Sequence, residues 1–68
     1  MTDDEIIVTV HDCRKLGYCM KAIRPWFTQQ GFDFRDFVRH GIPASKLRPT
    51  NNVFAENVIK QARKRIEG

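Results

Sequence analysis

The chain has 68 residues, 41% hydrophobic and 29% charged, and its twelve Lys and Arg outnumber eight Asp and Glu for a formal charge of +4. That length fits one domain with a modest core, and the composition excludes an intrinsically disordered chain. No apolar run approaches the ~20 residues that span a bilayer. The acidic start Met1-Thr2-Asp3-Asp4-Glu5 also lacks the basic-then-apolar layout of a secretory signal. A cytosolic protein with no membrane contact is therefore expected, with Cys13 and Cys19 as reduced thiols.

In chain order, Glu5-Ile6-Ile7-Val8-Thr9-Val10 is β-branched and apolar and predicts a strand over 5–10. No second strand of comparable strength follows. An unpaired strand must find a partner or lie extended over the helices, and the partner could be a second copy of the chain in a homodimer or another protein's sheet edge. Thr9 and Asp12 resemble a capping box that opens a short helix, and Gly17 closes it. A second helix is predicted over Met20 to Gln30, with Met20, Ile23, Trp26 and Phe27 on its apolar face and Gly31 at its end. Pro25 either kinks this helix or stands in its first turn. Asp33 caps a third helix, with Phe34, Phe37 and Val38 inward, Arg35 and Arg39 outward, and Gly41 as its stop. Pro43 to Leu47 suits a single turn, and Arg48 to Asn51 a connector. Asn52 caps the last helix, whose stripe is Ala55, Val58, Ile59, Ala62 and Ile66. The expected fold is mainly α: one domain over 1–68, a small bundle of four to five short helices (11–66) with one N-terminal β-strand, packed around Trp26 and the phenylalanines.

The charge is segregated. Residues 1–12 carry Asp3, Asp4, Glu5 and Asp12 with no Lys or Arg, whereas the remainder holds all twelve basic residues against Asp33, Asp36, Glu56 and Glu67. Such a body attracts a phosphate backbone or an acidic protein surface, although a solvated basic surface has the same composition. Lys60, Arg63, Lys64 and Arg65 crowd the end of the last helix, where cations also favour the helix dipole. Enzymatic motifs are absent: no glycine-rich phosphate loop, serine elbow or paired ligand motif is legible. No enzyme, cofactor or small-molecule substrate is expected. His11, Cys13, Cys19 and His40 are the soft metal ligands, but they lack zinc-site spacing, and buried or helix-starting cysteines explain Cys13 and Cys19 as well.

Two short helices joined through Gly17-Tyr18-Cys19 suit a helix-turn-helix, in which the second helix would present Lys21, Arg24, Gln29 and Gln30 to DNA. Thr9-Val10-His11-Asp12 through Leu16-Gly17, then Ala22-Ile23-Arg24-Pro25-Trp26 and Gly31-Phe32, resembles the head of MerR-type and excisionase-type winged-helix domains. That resemblance implies phosphate contacts by Lys21 and Arg24, and a wing after Gly31 for which no strand pair is legible. A longer stretch is similar to a family of small tailed-phage and prophage proteins. It comprises Leu16-Gly17-Tyr18-Cys19, Arg24-Pro25-Trp26-Phe27, Gly31-Phe32-Asp33-Phe34 and Phe37 to Pro43. This implies an origin without an activity, and a location in the bacterial host cytoplasm or the virion. The expected function is non-enzymatic binding of nucleic acid through basic helices, with Lys21, Arg24, Gln29, Lys60, Arg63, Lys64 and Arg65 as contacts. The competing expectation is a virion, assembly or inhibitory protein that binds a host protein, including one of a defence system.

Overall fold

The computed structural model describes residues 5–68, and the acidic start at 1–4 lies outside the described residues. Among the described residues the fold is mainly α. In order it comprises β1 (Ile7–Val8), α1 (Val10–Lys15), α2 (Met20–Gln29), α3 (Phe34–His40), β2 (Ile42–Pro43), α4 (Ala44–Leu47), a 3-10 turn (Arg48–Thr50) and α5 (Val53–Glu67).

The expected strand is shorter than the apolar run that announced it, and it has a partner within the chain. β1 pairs antiparallel with β2, Ile7 opposite Pro43 and Val8 opposite Ile42. The Ala44 amide extends the contact by donating to the Ile6 carbonyl at 2.8 Å. β1 ends early because Thr9 turns the chain into α1. The Thr9 amide donates to the Asp12 carboxylate at 2.9 Å and its hydroxyl to the same oxygen at 3.2 Å, so the Asp12 arm of the capping box is made. β2 was hidden because two residues, one of them a proline without an N–H, give almost no strand pattern.

Gly41 makes the pairing sterically possible. It ends α3 at φ 76°, and a Cβ there would stand 2.6 Å from Ile7 Cγ2 and 2.7 Å from the Val8 carbonyl oxygen. Only a residue without a Cβ lets β1 pass this close. On the far side of β1, Arg65 Nη2 donates to the Ile7 carbonyl at 2.8 Å. The Ile7 carbonyl, which faces away from β2, is thus met internally, and the strand whose expected lack of a partner motivated β-augmentation through 5–10 is paired within the chain.

α1 and α2 both end in Schellman turns. Gly17 N–H bonds the Arg14 carbonyl and Tyr18 N–H the Cys13 carbonyl; Gly31 and Phe32 repeat the pattern on Thr28 and Phe27. α2 starts at Met20, so Pro25 lies inside it rather than in its first turn. Its missing N–H deprives the Lys21 carbonyl of a helical donor at an exposed position of the helix. Asp33 and Asn52 cap α3 and α5 as their sequence positions suggest, accepting from Asp36 N–H and Phe54 N–H.

The buried residues form one cluster. α5 contributes Ala55, Val58, Ile59 and Ala62 at helical spacing, α2 Ile23 and Phe27, α3 Phe37, and α4 Ala44 and Leu47. Phe27, not Trp26, is the centre of the aromatic packing. It is 1% exposed and meets Trp26, Phe32, Phe34, Phe37 and Phe54 at centroid distances from 4.5 to 6.5 Å. Trp26 is half-buried, edge-on to Phe54. Ile66 and Val38 depart from expectation. Ile66 is 39% exposed, where the α5 stripe outruns the core, and Val38 is 51% exposed, on the flank of α3 rather than its inner face.

Candidate functional site

The basic residues separate into three groups once their surroundings are known. Arg65 is committed to the fold. Its Nε donates to Asp12 Oδ1 at 2.9 Å and its Nη2 to Asp12 Oδ2 at 3.2 Å, besides the Ile7 carbonyl. Asp12 is wholly buried, and both carboxylate oxygens are occupied by Thr9 and Arg65. The bonded Asp12 carboxylate raises the Arg65 pKa further, so the charge is permanent. Arg65 therefore clamps the last turn of α5 onto β1 and the start of α1, and it is withdrawn from the expected binding run. Arg63 pairs with Glu67 at 3.0 Å one turn on, and both side chains are more than half exposed.

Lys60 and Lys64 form the second group. With Leu16, Asn57 and Gln61 they line a shallow groove of about 220 Å³ between the end of α1 and α5. Neither lysine has an ion-pair partner among the described residues.

The third group is the most concentrated. Arg24 on α2 and Arg35 and Arg39 on α3 surround an open groove of about 390 Å³ whose remaining lining is Phe34 and Val38. No carboxylate lines it, and none of the three arginines is ion-paired among the described residues. Arg35 and Arg39 stand one turn apart, as do Phe34 and Val38, so α3 presents an apolar row beside a basic one. Phe34 is fixed from behind, edge-on to Phe27 at 5.7 Å. The sequence pointed to Arg24 but not to Arg35 and Arg39, because nothing local places α3 beside α2. No local signal was available, since Val38 reads as an inward residue of α3 and Arg35 and Arg39 as outward ones. Lys21 and Gln29 are exposed on α2 but do not line the groove.

The helical corner exists as expected, with Gly17 between α1 and α2. After Gly31 the described residues supply only β2, which is spent on β1 and forms no wing hairpin. Among the described residues no three His, Cys, Asp or Glu side chains gather as a metal site. His11, Cys19 and His40 are exposed, whereas Cys13 is buried. Burial, and secondarily the neighbouring Asp12 charge, push the Cys13 thiol up to about 12. At neutral pH it is held as the neutral thiol, a poor nucleophile. A smaller cleft beside Gly31 and Gly41 mixes Asp33, Asp36 and Lys46 and has no net preference for an anion. No helix is long and apolar enough to cross a membrane.

No protein-family model, no curated protein and no solved structure matches the chain.

Proposed function

We propose that the protein is a non-enzymatic binding module that holds nucleic acid by its phosphate backbone, with the α2–α3 groove as the main contact. One observation carries this reading: Arg24, Arg35 and Arg39 converge on one groove that no carboxylate among the described residues lines. Guanidinium groups without an ion-pair partner among the described residues are suited to phosphate oxygens, which they can grip bidentately. Lys60 and Lys64 line a separate groove between α1 and α5 and are a second candidate contact, whereas Arg65 belongs to the fold. Backbone contact of this kind is electrostatic and releases counterions, so it weakens steeply with salt.

The competing reading is an acidic protein partner, in phage assembly or in the inhibition of a host factor, and half-exposed Val38 within the groove favours it. A salt titration of binding to random-sequence DNA separates the two. The proposal expects binding that tightens as salt is lowered, with each Arg→Ala change in the groove reducing the log–log salt slope by about 1. No binding to DNA at low salt overturns it and leaves the protein partner.

A further inference from the structure

The groove between α2 and α3 has a floor that a simple phosphate clamp does not need. Phe34 and Val38 line it, and Val38 is 51% exposed in a domain with few apolar residues to spare. Resting on the nucleic-acid reading above, we infer that the α2–α3 groove takes single-stranded nucleic acid, with an unstacked base over Phe34 and Val38 and the flanking phosphates on Arg24, Arg35 and Arg39.

Three features of the groove lead there. Its size, about 390 Å³, lies within the ~300–1,000 Å³ of cavities that hold small-molecule-sized groups such as a base with its sugar. Its walls are planar cations: a guanidinium can stack on a base face as well as pair with a phosphate. Its floor is apolar and rigid, since Phe34 is backed by Phe27 and Phe37 at 5.7 and 6.0 Å. A duplex keeps its bases stacked inside and offers this concave face only phosphates and sugars, which gain nothing from Phe34 or Val38. A single strand can turn a base outward, and base stacking on side chains is tolerant of sequence because every base has a π-face. The same lining argues against a major-groove reader. α3 has seven residues, too few for a long projecting recognition helix, and its arginines face a hollow shared with α2.

The test is fluorescence anisotropy of the full chain with three labelled 12-mers at one low salt concentration: oligo-dT, a mixed-sequence duplex, and an abasic strand with the same phosphates. Oligo-dT should bind about tenfold more tightly than either of the others, the size of effect one stacked base supplies. Val38→Ser should narrow that gap. Because Val38 is half exposed, the variant should fold, and its thermal melt verifies that it does. A duplex or abasic strand that binds as well as oligo-dT overturns the single-strand inference while leaving the phosphate-binding reading in place. Failure of all three probes to bind overturns both, and binding of an acidic polypeptide in their stead identifies a protein partner.

Discussion

At the scale of single residues, Asp12 and Arg65 decide how the two ends of the described chain are joined. Asp12 is fully buried and accepts from both Thr9 and Arg65, so removing the guanidinium would strand a carboxylate in the core. Breaking a buried pair from one side costs about 3–5 kcal/mol. Arg65→Ala should cost somewhat less, about 2–3 kcal/mol, because its side chain is 36% exposed and water can replace part of the contact. Urea denaturation should show this loss, and Arg65→Lys should recover only part of it, since an ammonium cannot span Asp12 and the Ile7 carbonyl as the fork does. Cys13 gives a second prediction at this scale. Its folded pKa of about 12 lies above the ordinary value of 9.0, so the folded state holds the proton more tightly than the unfolded chain. The contribution is complete below pH 9 and is lost as pH rises from 9 towards 12, at up to about 1.4 kcal/mol per unit. Cys13→Ala should flatten the decline of the urea midpoint between pH 8 and 10, whatever the substitution itself costs at neutral pH. An unchanged decline would show that other groups cause it.

At the scale of elements, what was legible in the sequence was local. Thr9, Asp33 and Asn52 mark helix starts because capping depends on residues two or three positions away. Gly17 and Gly31 mark helix ends for the same reason, and the α5 stripe follows from helical spacing. The β1–β2 pair was not legible, because Ile42-Pro43 acquires its role only from what α3 brings next to it. Gly41 illustrates the difference. From sequence it is a helix stop; in the fold it is also the space through which Ile7 and Val8 pass. Gly41→Ala should therefore do more than strain a turn. With a backbone oxygen and a β-branched side chain inside contact distance, it should destabilise by about 3 kcal/mol or more. A domain of this size has only about 3–5 kcal/mol from its core, so the variant should lose most of its folded population by circular dichroism. Gly17→Ala meets no atom within 4 Å and should cost less, only the strain of its positive φ. Similar losses at the two positions would contradict the close-approach account.

At the scale of the whole molecule, the charge asymmetry in the sequence identified a basic body but not where its charge is usable. Position along the chain gave equal standing to the α5 run and to α2. Packing separates them: Arg65 and Arg63 are paired, and Arg24 acquires Arg35 and Arg39 from the neighbouring helix. That convergence arises from tertiary contact between α2 and α3, which no local pattern encodes.

The most direct measurement is the salt dependence of DNA binding by the wild type, the triple variant Arg24→Ala/Arg35→Ala/Arg39→Ala and the double variant Lys60→Ala/Lys64→Ala. If the α2–α3 groove is the phosphate site, the triple variant should lose about three units of log–log slope and most of its affinity, and the double variant far less. A triple variant that binds with the wild-type slope would contradict the account.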